Sequence, residues 1–271
     1  MRAHLVQFDI AWEDRFRNFD KVRRLIASAN TQAGDFILLP EMFDTGFSVN
    51  ISATADSKGE TLGFVQRLAT ELGVYVQAGR TVHSAGHDRA SNVATIVSPA
   101  GTVLAEYSKT HLFTLGREGD AIRPGTDLYV WKWETPGARD GALVMFPAIC
   151  YDLRFPELFR AGLGMGAEAL ALGACWPEGR HAHWKALLTA RAIENQAFAL
   201  GVNRTGSDPT LRYLGGSVAV SPKGEILGEL NDEEAVLSVE IDPGEVRRWR
   251  RVFPAWKDGK LPTPTLTRSA S

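Results

Sequence analysis

The chain has 271 residues, with 30 Lys plus Arg against 32 Asp plus Glu, a formal net charge of −2. Hydrophobic residues make up 44% and charged residues 23%, the balance of a soluble globular protein. A near-neutral chain lacks the basic excess that collects nucleic acid or an anionic membrane, and two cysteines are too few for a disulfide framework.

The length suits one large α/β domain or two small ones, and either can bury a core without covalent staples. His4, Gln7 and Asp9 interrupt the apolar residues at the N-terminus, where a signal peptide needs an unbroken stretch. No apolar run is long enough to span a membrane. With so few cysteines, the expectation is a cytoplasmic protein in a reducing compartment.

Residues 4–9 predict a strand, and residues 14–29 a helix with Phe16, Phe19, Val22, Ile26 and Ala29 on one face. Residues 36–40, Phe-Ile-Leu-Leu-Pro, form a continuous apolar run, the pattern of a strand covered on both faces. A helix over 61–72 precedes strands over 74–82, 92–98 and 103–107, the last two joined by a turn at Pro99-Ala100-Gly101. Residues 108–125 read as a long polar loop. A buried strand over 143–149 leads into a helix from about 154 to 163.

The alternation then repeats. Residues 169–172 are strand-like, and 183–197 predict a helix with Trp184, Leu187, Leu188, Ala192 and Asn195 on one face. Strands follow over 198–203, 216–220, 225–228 and 235–241. Asp242-Pro243-Gly244-Glu245 supplies an N-cap, a proline at the first helical position and a glutamate at the third. No linker composition or short repeat divides the chain. The expectation is one α/β domain over 1–253, sheets inside and helices outside, with residues 254–271 as a C-terminal extension.

Three residues stand where strands run out. Glu41 follows the run 36–40; carboxyl ends of parallel strands are where open α/β sheets hold ligands, and a carboxylate there is a candidate proton carrier. It serves equally as a backbone cap or ion-pair partner. Lys109 follows the strand 103–107, where an ammonium can stabilise a thiolate or a developing oxyanion, although most such lysines are solvated. Cys150 follows the strand 143–149 at a turn into a helix, whose N–H groups and positive end favour a thiolate. A free Cys is also a common apolar filler. Together the three supply a base, a cation and a nucleophile, a complete set for attack on a carbonyl or nitrile carbon.

The segments Leu38-Leu39-Pro40-Glu41-Met42-Phe43, Tyr107-Ser108-Lys109-Thr110-His111-Leu112-Phe113 and Ile149-Cys150-Tyr151-Asp152-Leu153-Arg154-Phe155-Pro156-Glu157-Leu158 resemble, in order, those of the nitrilase superfamily of carbon–nitrogen hydrolases. Trp176-Pro177, His183-Trp184-Lys185, the stretch 190–196, Asn203-Arg204-Thr205-Gly206 and the stretch 216–224 extend the resemblance to about residues 4–241. It implies a four-layer αββα sandwich, usually paired into homodimers, that needs no metal or organic cofactor.

The same resemblance makes Cys150 the nucleophile, Glu41 its base and Lys109 the cation for the tetrahedral intermediate, helped by the Tyr151 backbone N–H. Glu118, in a divergent loop, matches a second glutamate beside the lysine. Glu41-Met42-Phe43-Asp44-Thr45-Gly46-Phe47 and the stretch 176–206 look most like omega-amidases. Those enzymes release ammonia from 2-oxoglutaramate and 2-oxosuccinamate through a thioester.

The implied partner is a small-molecule amide bearing a carboxylate. Arg180 and Arg154 are candidates to bind it through paired hydrogen bonds, with a structural ion pair the favoured role for Arg154. Phe43, Phe47 and Trp176 are candidate pocket walls. Cys175 departs from the omega-amidase pattern, which usually has Asn there, and a thiol cannot replace an amide's donors and acceptor. The substrate can therefore be another small amide or an N-carbamoyl compound.

Gly162-Leu163-Gly164-Met165-Gly166 follows a helix and precedes a strand, the reverse of a dinucleotide fingerprint. No cluster has zinc spacing, and no Gly-x-Ser-x-Gly elbow is present. A Cys–His hydrolase using His111 or His183 leaves Glu41 and Lys109 without purpose. Arg247, Arg248, Arg250 and Arg251 around Trp249 read as a solvated or subunit-facing surface. A catalytically silent binding protein on the same fold is the alternative of a different class; retention of Glu41, Lys109 and Cys150 argues against it.

Overall fold

A computed structural model describes residues 1–260 apart from 85, 136 and 138–140. In chain order its first half comprises β1 (Arg2–Gln7), α1 (Arg15–Ala27), β2 (Phe36–Leu38), α2 (Ile51–Thr54), α3 (Glu60–Leu72), β3 (Tyr75–Val82), β4 (Ser91–Val97) and β5 (Val103–Ser108). Then come β6 (Trp131–Trp133), β7 (Leu143–Ile149), α4 (Pro156–Gly164), β8 (Ala169–Ala174), α5 (His181–Asn195) and β9 (Phe198–Asn203). A hairpin of β10 (Thr205–Ser207) and β11 (Arg212–Leu214) precedes β12 (Val218–Val220), β13 (Ile226–Glu229), β14 (Ala235–Glu240) and α6 (Pro243–Val252).

The strands form two six-stranded sheets, ordered β14-β1-β2-β3-β4-β5 and β13-β12-β9-β8-β7-β6. Each has three parallel strands at its centre (β1-β2-β3 and β7-β8-β9) and antiparallel flanks. Side-chain alternation explains the apolar runs. In β2, Phe36 and Leu38 enter the core between the sheets, while Ile37 turns to the opposite face with Phe19 and Val22 of α1 and Phe64 and Leu68 of α3. In β8, Ala169 and Ala171 face the inter-sheet core, while Leu170 and Leu172 pack under Phe159 of α4 and Trp184 and Leu188 of α5. Helices thus cover the outer face of each sheet, and the chain is a single αββα sandwich. Gln77 Nε2 of β3 donates to Ala171 O of β8 at 2.9 Å, fastening one sheet to the other.

Several sequence expectations shift. Phe16 is 63% exposed, because α1 turns Asn18 inward to bind Ala11 O and Asp44 O. The helix after Cys150 starts at Pro156 instead of 154: proline disfavours helical geometry in the residue before it, and Phe155 is extended. Cys150–Arg154 form a short 3-10 turn. The strand β6 and the hairpin β10–β11 were not anticipated, each strand being three residues long.

Arg247 and Arg250 are not surface groups of the kind expected. Arg247 pairs with Glu168 at 2.7 Å, and Arg250 donates to Ala167 O, Asn195 O and Gln196 O. These contacts fasten α6 over the end of α5. Ala255–Asp258 make one further 3-10 turn, and residues 261–271 of the expected extension lie outside the described residues. Among the described residues no helix is long and apolar enough to cross a membrane.

Candidate active site

Glu41, Lys109 and Cys150 meet because the strands before them end on the same side of the sandwich. After β2 the chain passes through Leu39 and Pro40 into a turn at Glu41, wedged between β3 and β8. Two glycines make the room: a Cβ on Gly79 would sit 2.7 Å from Glu41 Cα, and one on Gly173 would sit 2.6 Å from Leu39 O. Lys109 leaves β5 with its N–H on Asn92 O at 2.8 Å. Cys150 leaves β7 in a left-handed conformation, φ 43°, which side chains seldom adopt and which the surroundings must hold. Asp152 does this: its carboxylate accepts from Ile149 N at 3.0 Å, Tyr107 Oη at 2.7 Å, and His111 N and Nδ1 at 3.0 and 2.9 Å.

Lys109 is fully buried, not solvated. Its Nζ donates to Glu41 Oε1 at 2.8 Å and to Glu118 Oε2 and Oε1 at 2.9 and 3.1 Å. Asn92 Nδ2 bridges the same two carboxylates, at 2.8 Å to Glu41 and 2.9 Å to Glu118, and Phe113 N donates to Glu118 at 2.7 Å. The second Glu41 oxygen accepts from Cys175 N at 3.0 Å, and Cys175 Sγ donates to Glu41 O at 3.3 Å.

Burial works against charge on Lys109, but Glu41 and Glu118 outweigh it and its pKa stands well above the ordinary lysine value. The Cys150 thiol moves the other way from the expected thiolate. Burial and then the negative field of Glu41 raise its pKa well above the usual thiol range, and Lys109 offsets this only in part. The helix that was to favour a thiolate begins six residues further on. Burial likewise raises the Cys175 thiol.

The cluster lies at the floor of a cavity of about 460 Å3, a size suited to a small ligand. Of the expected binding residues, Tyr151, Trp176, Arg154 and Arg180 line it, together with Phe47. Phe43 does not; it is buried in the helix-side core, 6.1 Å from both Phe19 and Phe64. Arg154 lies 4.7 Å over the Trp176 ring and 3.3 Å from His183 Nδ1, without the carboxylate partner expected for it. Arg180 lies 5.1 Å over Phe113. Neither guanidinium has a carboxylate partner among the described residues.

Asn92 and Asp152 had not been singled out, nor the hairpin β10–β11, where Tyr213 Oη donates to Asp208 at 2.6 Å beside the cavity. Asp152, at the third position of the turn after a strand, carries a capping signal that could have been found. Asn92 carries none, since its role depends on two carboxylates distant in sequence.

The fold agrees with what the chain resembles. The carbon-nitrogen hydrolase family model matches residues 2–251. A 2-oxoglutaramate amidase of Bacillus subtilis (strain 168) is 35% identical over 256 residues, 93% of this chain and 95% of that protein. The omega-amidase YafV of Escherichia coli (strain K12) is 33% identical over 264 residues, 95% and 96% of the two chains. XC1258 from Xanthomonas campestris, a CN-hydrolase superfamily protein solved with an arsenic adduct in its active site, superposes with a TM-score of 0.88. It is 30% identical, with 98% of this chain and 99% of that one covered. The chain belongs to the carbon–nitrogen hydrolase family, the nitrilase superfamily. It is an enzyme that hydrolyses amides.

Proposed function

We propose that this enzyme is an omega-amidase, cleaving the terminal amide of a small 2-oxo dicarboxylic acid monoamide such as 2-oxoglutaramate or 2-oxosuccinamate. The observation that carries this reading is a pair of arginines, Arg154 and Arg180, that line the cavity with Cys150 and have no carboxylate partner among the described residues. A guanidinium offers a carboxylate two parallel hydrogen bonds, so an anionic tail held there leaves the distal amide over the thiol. The named relatives point to the same substrate class.

The reaction follows from the roles of the buried groups. Glu41 takes the proton of the Cys150 thiol as sulfur attacks the amide carbon. The oxyanion forms against Lys109 Nζ and the Tyr151 N–H, which as an early donor of the 3-10 turn has no partner within that turn. Glu41 returns the proton to nitrogen, the C–N bond breaks and ammonia leaves a thioester on Cys150. Water then gives a proton to Glu41, adds to the thioester, and the dicarboxylic acid departs with the thiol restored. Glu118 keeps Lys109 charged and aimed throughout.

The test is ammonia release from 2-oxoglutaramate. Cys150→Ala is expected to lower the rate by roughly 10^4-fold or more, since nucleophilic machinery acts as a unit. Arg154→Gln and Arg180→Gln are expected to raise KM roughly 10- to 100-fold, the effect of losing a charged hydrogen bond of about 1.5–3 kcal/mol. Activity that survives Cys150→Ala would refute the nucleophile. Turnover of only N-carbamoyl or nitrile substrates would refute the substrate class.

A further inference from the structure

The acyl-transfer steps leave one nucleophilic side chain at the site unused. Cys175 is the only other cysteine in the sequence, it is a free thiol, and it lines the same cavity as Cys150. The two leave neighbouring parallel strands at the same end. Ile149, the last residue of β7, pairs with Gly173 of β8; Cys150 is one residue beyond that pair and Cys175 two. Adjacent strands lie about 4.8 Å apart, so the two backbones emerge at a spacing of the order a disulfide spans.

Both cysteines also adjoin Glu41. Cys175 contacts Glu41 through its N–H and its Sγ, and the charge of Glu41 acts on the Cys150 thiol.

We propose that Cys150 and Cys175 are a reversible redox pair, in which a peroxide converts the nucleophile to a sulfenic acid and Cys175 captures it as an intramolecular disulfide. In the first step Cys150 Sγ attacks one peroxide oxygen and the O–O bond breaks. Sulfur is oxidised, the peroxide is reduced, and the thiol proton leaves with the departing oxygen as water. In the second step Cys175 Sγ attacks the sulfenic sulfur; the S–O bond breaks and a second water leaves with the Cys175 proton. A dithiol reductant restores both thiols. The disulfide shields Cys150 from the irreversible sulfinic and sulfonic stages. Cys150 is the primary target because Glu41, the base proposed for acyl transfer, is placed to take its proton as sulfur attacks, whereas the Cys175 Sγ donates to the Glu41 carbonyl. That choice rests on the nucleophile assignment made above.

The experiment treats the full-length protein with hydrogen peroxide, traps free thiols with N-ethylmaleimide under denaturing conditions, and maps peptides without reduction. The expected product is a peptide pair joining Cys150 to Cys175 within one chain, two hydrogens lighter, that dithiothreitol separates. In Cys175→Ala, Cys150 is expected to proceed to the sulfinic and sulfonic acids, and dithiothreitol is expected to recover no thiol. Sulfinic acid at Cys150 accumulating equally fast in both proteins, with no cross-linked peptide, would overturn the proposal. So would cross-links only between chains. Amidase activity read in parallel separates the two ideas: a cross-link in a protein inactive on 2-oxoglutaramate removes the substrate reading alone. An active enzyme with no cross-link removes the redox pair alone.

Discussion

Lys109 is held charged in a fully buried position by two carboxylates, and one of them, Glu118, sits in a loop that the sequence marks only as polar. Glu118→Gln keeps the shape but removes a negative charge, so the ammonium loses part of what offsets its desolvation. A fall in kcat of roughly 10- to 100-fold is expected, with KM changing much less, because in the proposed mechanism Glu118 acts through Lys109 on the transition state. Steady-state kinetics check this; a change confined to KM would contradict it.

The raised pKa of Cys150 has a measurable sign. Its thiol form is favoured at neutral pH, so the rate of alkylation by iodoacetamide, without substrate and in a Cys175→Ala background, is expected to keep rising above about pH 8.5, the ordinary thiol value. A plateau already reached at neutral pH would show that Lys109 prevails over burial and Glu41.

Among the elements, the long periodic ones were legible: α1, α3, α5, β7 and β9 fall within one or two residues of what hydrophobic spacing and capping predict. The short strands β6, β10 and β11 were not, although the equally short β2 and β12 fall within predicted runs. A three-residue strand such as β6 has no period to detect, and it forms because Trp131 and Trp133 both pack against Phe36, and Trp131 stacks on Tyr75. The position of Glu41 depends on two strands giving way. Gly79→Ala would push a methyl group against the Met42 N–H at 2.6 Å, backbone that cannot rotate aside. A cost of about 1–3 kcal/mol is expected, together with loss of amidase activity beyond what the folded fraction explains. Denaturant unfolding and activity measured on the same sample test this.

Across the whole molecule, β1 joins the N-terminus to β14 on one side and β2 on the other, so contacts made there tie together residues more than two hundred apart. His4 lies at this seam, with Nδ1 2.8 Å from Ser238 Oγ and Nε2 3.0 Å from Asp35 Oδ2. Burial lowers its pKa, and the contribution of Asp35 falls short of restoring it, since Arg2 already shares that carboxylate. A histidine with a depressed folded pKa stabilises the fold above its unfolded value and loses that stability as pH falls through the folded one. Stability is therefore expected to decline on acidification below about pH 6.5. His4→Asn should flatten the decline, as read from urea midpoints between neutral pH and pH 5. An unchanged slope would remove His4 as the cause.

The sequence alone determined the alternation of strands and helices and the order of Glu41, Lys109 and Cys150 at strand ends, because periodicity, capping and residue type are local properties. The tertiary structure decided the rest of the site. Glu41 meets Cys175, 134 positions away, only when two sheets close on each other. Arg154 proves to lie over Trp176 at the cavity instead of in an ion pair, and Phe43 to face the core instead of the ligand. The protonation expected of Cys150 reverses for the same reason. Desolvation and the fields of distant charges set a pKa, and neither exists until the chain has folded.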